Sequence, residues 1–486
     1  MSNQPKIQAI LLALGGALAI SGCYASARIS PQTPPASNPS GATSEYHSQR
    51  QSSPTGPHIL FHPEALEDAQ HRLQQSPEDY PLTHAAYQDI RDKADRFQQR
   101  VQTSPPPVYT GTRRDDYRPA VFNGLTPSLY TALVCVIEEI PDYCQTTIDT
   151  LLAWADAEGG SQVGQGNRDD LIGAGLDIGR LLHYYAQAFQ LVAPQMSPAE
   201  QQQVRDWFLA LGQQIQTSHD YWIHHLSREG ANNHLSRHLY GMMITALIGQ
   251  DDDRLDYTLN ESPWNYANLV RDAIYEEDNP DNLFRQNRDF SHLPIQAQTG
   301  EIYDRHRSLP HPPAQEDIYN RHRWWDEDVT QGVGFAYSVF HLEGLILTAH
   351  LAELNGLQYP EQRLMDVENQ SIRNALRFYG QYYLDYPWGR NDCRDIEDLE
   401  PSPDPYDGDC PIAYEPYFGE NPKYHTLYLF LLAKHYYPED AAFYEDIIAA
   451  NAPKLIPQET AHPLHSPASV FTLIYGESHQ SPEKRR

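Results

Sequence analysis

Apolar residues in this chain recur at spacings of three and four, and no convincing stretch alternates apolar with polar as a half-buried strand requires. The helical spacing runs through LVCVIEEI (133–140), TIDTLLAWADA (147–157), LDIGRLLHYYAQAFQLV (176–192) and AEQQQVRDWFLALGQQIQTS (199–218). It resumes in HLSRHLYGMMITALIG (234–249), SVFHLEGLILTAHLAELNG (338–356) and HTLYLFLLAKHYY (425–437). Ser197-Pro198-Ala199-Glu200 adds a start signal, a capping box with proline at the first helical position. The expected fold is therefore all-α, built of paired helices joined by Pro-, Gly- and Asp-rich connections. Two long irregular insertions, near 276–332 and 387–422, interrupt it, and loops of that length inside a domain usually carry function or are disordered. Length sets only a soft bound, since 486 residues suit up to three average domains or one helical domain of about 400.

The N-terminus has a different character. A single lysine precedes an apolar run from Ile7 to Ile20 and then small residues, the layout of a secretory signal over 1–22. Ile20-Ser21-Gly22-Cys23 resembles a bacterial lipoprotein box, which implies cleavage before Cys23 and a lipid on that cysteine. Tyr24 stands where an inner-membrane retention signal would place Asp, so an outer-membrane lipoprotein facing the periplasm or the cell surface is expected, touching the membrane through its lipid anchor alone. The alternative is an ordinary signal peptide with an incidental cysteine. Residues 23–57 are rich in Ser, Pro, Gly and Thr and are expected to form a disordered tether. The folded body is expected over 58–478, with a disordered tail at 479–486. In an oxidising compartment Cys135, Cys144, Cys393 and Cys410 should pair, and sequence neighbours are the simplest of three pairings.

With 65 acidic against 35 basic residues and a formal net charge of -30, the surface as a whole excludes nucleic acid and anionic lipid as partners. An anionic substrate would have to be met by a local cationic site. Gly300 to Trp325 is one candidate, a near-repeat that collects Arg305, Arg307, Arg321 and Arg323 with three histidines. The 32 tyrosines and 7 tryptophans against 14 phenylalanines favour rings with a polar handle, a hint toward carbohydrate. Asp404 to Cys410 clusters carboxylates but lacks the EF-hand spacing and its closing Glu, so it reads as a solvated acidic loop rather than a calcium site.

The motif with the most chemistry is REGANNHLSRHLYGMM. Asn232 and Asn233 stand at a helix start, where Asn is at home as a cap, and His234 and His238 share a face away from the apolar stripe of Leu235, Leu239, Met242 and Met243. Three readings compete: caps and satisfied histidines; a zinc pair, which lacks the Glu of HExxH; or an Asn and a His that handle a substrate carboxylate.

REGANNH followed by an apolar helix resembles the Asn-Asn-His motif of the alginate lyase family, and GFAYSVFHLEGLILTAHLAELNG resembles that family's tyrosine-bearing helix. The segments VYTGTRRDDYRPAVFNGLTPSLY and LIGAGLDIGRLLHYYAQAF follow its earlier helices. The resemblance implies an incomplete α/α toroid and a polysaccharide lyase that cleaves a uronate polymer, alginate (polymannuronate) first, by β-elimination. It implies catalytic roles for Asn233, His234 and Tyr337. The family's catalytic Arg lies a few residues before its Tyr, but Thr330 occupies that spacing here, so Arg305, Arg307, Arg321 and Arg323 all remain candidates, with Arg305 nominated. Arg113, Arg114, Arg118, Arg180 and Arg237 are candidates for binding neighbouring uronate units, with Arg307, Arg321 and Arg323 beside them. Trp324 and Trp325 would offer stacking faces. The implied chemistry needs no metal and no organic cofactor, and the chain is expected to act as a monomer. Alternatives are a lyase for another polyuronate or a glycosaminoglycan, and a non-catalytic polysaccharide-binding or assembly lipoprotein on the same scaffold.

Overall fold

The computed structural model describes residues 56–225, 231–276, 299–302, 334–358, 362–385, 426–452, 455–456 and 467–477. The chain divides into Met1–Gln51 and Ser52–Arg486, and every described residue belongs to the second unit. The signal, Cys23 and nearly all of the tether lie outside the described residues. So do Arg305, Arg307, Arg321, Arg323, Trp324, Trp325, the 404–410 loop, Cys393 and Cys410.

Among the described residues every regular element is a helix, and strand-like pairing is confined to an isolated bridge between Ile274 and Ile302. The helices are α1 (Pro63–Leu73), α2 (Pro81–Thr103), α3 (Arg114–Gly124), α4 (Ser128–Glu138), α5 (Pro141–Asp156), α6 (Arg168–Val192) and α7 (Pro198–His225). They continue with α8 (Asn233–Gly249), α9 (Asp252–Asp256), α10 (Tyr266–Ala273), α11 (Gly334–Leu354) and α12 (Val367–Asp385). The last are α13 (Tyr428–Tyr436), α14 (Ala441–Ala450) and α15 (Ala468–Tyr475).

Local chemistry sets the boundaries near the site. The α7 start closes both halves of its capping box: the Ser197 amide donates to Glu200 at 2.7 Å and the Glu200 amide donates to Ser197 Oγ at 3.3 Å. Those bonds hold the Glu200 carboxyl below its usual pKa. At the head of α6 the Asn167 side chain accepts from the Asp169 amide at 3.0 Å, with Asp169 and Asp170 in the first turn, where the helix dipole favours negative charge. The α4–α5 corner is closed by the Cys135–Cys144 disulfide, one of the two expected neighbour pairs.

Packing joins these helices in a definite order. α2 meets α4, α4 meets α6, α6 meets α8, α8 meets α11, and α15 meets both α13 and α2. The step from α11 to α13 is bridged by the Tyr428 hydroxyl on Glu343 and by Tyr436 beside His350. The intervening α5 and α7 run back along this series, α7 against both α6 and α8. Such an order, with long helices alternating with returning ones, is compatible with the toroid expected from the sequence. The α6–α8 seam is close. A β-carbon at Gly179 would run into the Arg237 carbonyl, and one at Gly241 would come within 2.7 Å of Gly179 Cα. Glycine at both positions lets the two backbones approach without a methyl between them.

Candidate active site

Asn232 is the N-cap of α8, and its side-chain oxygen accepts from the amides of His234 (2.9 Å) and Leu235 (3.2 Å). Capping therefore falls to Asn232 and leaves the next two side chains for other work. The turn ahead is pinned by Asp272 on α10, which accepts the Ala231 amide at 2.7 Å. Asn233 and His234 are consecutive and almost fully buried, 3% and 6% exposed, at the positive end of the helix dipole.

The His234 ring is held on two sides. Its Nδ1 lies 3.2 Å from the Ile172 carbonyl of α6, and its ring sits 4.7 Å from that of Trp222 of α7. Trp222 donates its indole N–H to the same carbonyl at 2.9 Å. A carbonyl can only accept, so the contact puts a proton on Nδ1, and in the neutral ring Nε2 then carries the lone pair. That is the tautomer a general base needs, fixed by a backbone oxygen one helix away.

His238 lies one turn further along α8, its ring 6.3 Å from that of His234 and 5.6 Å from that of His219. Its Nε2 approaches Ser218 Oγ at 3.4 Å. Burial first, and then the neighbouring His219 and His234, push its pKa well below the usual histidine value, so it stays neutral. Among the described residues no three His, Cys, Asp or Glu side chains are placed to hold a metal ion.

The arginines nominated from the sequence fall into three settings. Arg113 is a surface residue, its side chain 70% exposed and 4.0 Å from Asp116. Arg237 is buried and turned to Glu343 of α11, whose other oxygen accepts from the Tyr428 hydroxyl. Burial lowers the Arg237 pKa to about 10, which leaves it charged at neutral pH. Arg114 and Arg118 both reach Asp177 of α6, the latter at 2.8 Å. Arg180 lies one turn along from Asp177: burial pulls its pKa below the usual value, Asp177 opposes the pull, and Arg118 and Arg114 add to it.

Tyr337 lies in the first turn of α11. It stands one turn ahead of Phe340 and nearly two ahead of Glu343, both of which accept from Arg237, while Asn233 and His234 stand one turn ahead of Arg237 on α8. Ser338, the next residue, donates its hydroxyl to the Ile302 carbonyl at 2.9 Å. Ile302 is further held by the Tyr379 hydroxyl, which accepts its amide at 3.0 Å.

Ile172, Trp222, Asp177 and Asp272 were not anticipated as parts of the site. Asp177 had a legible signal, an acid inside the otherwise apolar α6 run, one turn before Arg180. A carbonyl such as that of Ile172 leaves no mark in a sequence.

No curated protein matches the chain in a sequence comparison. Among models of known families, the one described as Alginate lyase matches residues 143–272. That segment runs from α5 to α10 and contains Asn232, Asn233, His234, Ile172, Trp222 and Asp177. The match supports polysaccharide lyase activity for the part of the chain that holds the buried Asn–His pair, and over residues 143–272 the chain is similar to the alginate lyase family.

Proposed function

We propose that this protein cleaves a uronate polymer by β-elimination, with polymannuronate blocks of alginate as the foremost substrate. The reaction removes the proton on C5, breaks the bond from C4 to the glycosidic oxygen, and leaves a C4–C5 double bond conjugated to the carboxylate, with no water consumed. The C5 proton is a poor acid because its carbanion sits beside an existing negative charge. Donors aimed at the carboxylate therefore do most to lower the barrier, and losing one such donor typically costs about 3 kcal/mol.

The observation that carries this reading is the buried Asn233–His234 pair at the dipole-positive start of α8, with the His234 tautomer set by Ile172. Asn233 would donate its amide N–H to the uronate carboxylate. His234, with its lone pair on Nε2, would take the C5 proton for one epimer, or donate to the carboxylate once protonated. Tyr337 would serve as base for the other epimer and return a proton to the departing O4 oxygen. Its reference pKa of about 10 makes it a weak base unaided, so an adjacent guanidinium is needed to favour the phenolate. Arg305 is the favoured source. It follows Ile302 by three residues, a reach of at most about 11 Å, and Ile302 is tied to Ser338, the neighbour of Tyr337.

The test is incubation of the purified protein with polymannuronate, polyguluronate, glucuronan and hyaluronan while following ultraviolet absorbance of the unsaturated product. Binding without product on every polymer would replace the lyase with a binding module. The proposal extends to a lipid on Cys23 that anchors the protein to the outer membrane. Palmitate labelling that disappears in Cys23→Ala is the expected result, and labelling that persists would remove the anchor.

A further inference from the structure

Residues 58–61 lie against the core as a strap. Ile59, Leu60 and Phe61 are buried, and side chains from distant helices hold the backbone around them. Leu60 donates its amide to Gln187 Oε1 of α6 at 2.8 Å, and its carbonyl accepts from His350 Nε2 of α11 at 2.8 Å. One side chain takes both backbone groups of His58: Asn355 Oδ1 accepts the amide at 3.0 Å, and Asn355 Nδ2 donates to the carbonyl at 2.7 Å. The same Nδ2 donates to the Leu351 carbonyl at 2.8 Å. Both N–H groups and the oxygen of Asn355 are therefore in use, and this end of the strap depends on their being an amide.

Asn355 is also the first residue of an Asn-Gly pair. It follows directly on α11, and Gly356 turns left-handed at φ 64°, exposed, with open space where a β-carbon would stand. The turn closes the helix through Leu357, whose amide donates to the Ala352 carbonyl at 2.9 Å. Glycine suits that turn because it lacks a β-carbon, and the same lack leaves the Gly356 nitrogen open to the neighbouring side chain. Attack of that nitrogen on Asn355 Cγ forms a cyclic imide: the bond from Cγ to Nδ2 breaks, and ammonia leaves with the Gly356 amide proton. Water then opens the imide, its hydroxyl going to one imide carbonyl carbon and its proton to the nitrogen. Opening at Cγ gives aspartate, and opening at the main-chain carbonyl gives isoaspartate. With the strap docked the attack is held back, since Gly356 N donates to the Glu353 carbonyl at 3.2 Å and the Asn355 amide is fixed at three points.

We infer that Asn355–Gly356 is a self-modification site, a deamidation switch in which loss of the Asn355 amide releases the strap of residues 58–61 and keeps it released. Aspartate prevents redocking because its carboxylate would face the His58 and Leu351 carbonyls where N–H groups stood. Isoaspartate adds a carbon to the main chain and breaks the left-handed closure as well. The switch is independent of what the protein cleaves. A second Asn-Gly pair, Asn123–Gly124, serves as an internal reference: it lies within α3, and Asn123 Nδ2 donates to the Pro119 carbonyl of its own helix at 2.9 Å, so no strap hangs on it.

The test ages the full chain at mildly alkaline pH in heavy-oxygen water, treats it briefly with chymotrypsin, separates nicked from intact molecules and maps both by mass spectrometry. Heavy oxygen should appear at residue 355, shared between aspartate and isoaspartate. Cleavage after Phe61, which the docked strap buries, should be several-fold enriched in molecules converted at 355, because proteolysis follows the opened form. Gln187→Ala, which loosens the strap at Leu60, should speed conversion of Asn355 several-fold and leave Asn123 unchanged. Gly356→Ala, for which there is room, should slow it several-fold, and Asn355→Asp should be cut after Phe61 without ageing. Should a substituted chain fail to fold, the comparison of nicked and intact fractions of the unsubstituted chain decides. An Asn355 that takes up no heavy oxygen, equal conversion in the two fractions, a folded Gln187→Ala chain that converts no faster, or a folded Asn355→Asp chain as resistant as the unmodified protein would each overturn the switch.

Discussion

Two buried carboxylates in this molecule meet arginines in opposite ways. On the α8–α11 seam Glu343 takes Arg237 and the Tyr428 hydroxyl, one anion for one cation. On the α3–α6 face Asp177 takes Arg114 and Arg118 with Arg180 close by. The first pair balances its own charge, so its role is to lock two helices in register. The second ties α3 to α6 through arginines that stay partly open to water, so it joins the core to the surface. An arginine's setting, rather than its presence, separates a pair sealed between helices from one that reaches the surface.

The contrast breaks most easily at Arg237. Removing one member of a buried, hydrogen-bonded ion pair typically costs about 3–5 kcal/mol because the other is left uncompensated. Arg237→Met and Glu343→Met should each lose stability on that scale in urea unfolding, and the two together should lose much less than their sum. A near-neutral Arg237→Met would show that the seam is held by something else and reopen Arg237 as a substrate contact.

Next in size is His234→Gln, expected to lower kcat/KM on a polyuronate about 10³-fold, or about 4 kcal/mol of barrier. Its urea midpoint should move little. Asn233→Ala should lower kcat by about 10²-fold, as for loss of one carboxylate donor. If it falls in stability rather than in turnover, Asn233 packs and does not bind.

A smaller effect concerns pH. Burial lowers the pKa of His183 to about 3, with help from Arg237 and Arg180, and lowers that of His219 to about 3. As pH falls below the ordinary value of 6.5 the unfolded chain takes up these protons and the folded one does not. The stability tied to each is complete above about pH 6.5 and declines by about 1.4 kcal/mol per pH unit until the folded groups titrate near pH 3. His183→Phe, which keeps the ring packing against Tyr184 and Tyr240, should flatten the acid limb of a stability–pH curve by one proton. An unchanged slope would mean that His183 is protonated in the native state. Smallest of all, Arg113→Gln should change neither stability nor oligomannuronate affinity by more than about 0.5 kcal/mol, as expected of an exposed pair. A large loss of affinity there would make Arg113 a substrate contact.

Helix type was legible throughout the periodic stretches, and boundaries were legible where a cap sits in the sequence. The Ser197–Glu200 box marked the α7 start because its bonds are local. Residues 176–192 showed the apolar core of α6 but not its first two turns, where Asp169, Asp170 and the glycines at 173 and 175 break the periodicity while the Asn167 cap carries the helix forward. The reading of 133–140 ran past Glu138, because Glu139 turns left-handed with φ 55° and ends α4 for Pro141 to begin the next helix. In the site, Asn233 and His234 were legible as types at a helix start. Their division of labour with Asn232, the Ile172 carbonyl that sets the His234 tautomer, and the sorting of five arginines into three settings depend on contacts between helices far apart in sequence, which periodicity does not encode.

At the centre stands the buried Asn233–His234 pair, proposed to meet the uronate carboxylate while the C5 proton beside it is removed. Its most direct measurement is the ultraviolet absorbance of wild-type protein and His234→Gln incubated in parallel with polymannuronate at neutral pH. A steady rise with the wild type and a nearly flat trace with the variant is the expected result. Equal rises would take the chemistry away from His234, and a flat wild-type trace on every polyuronate would contradict the elimination outright.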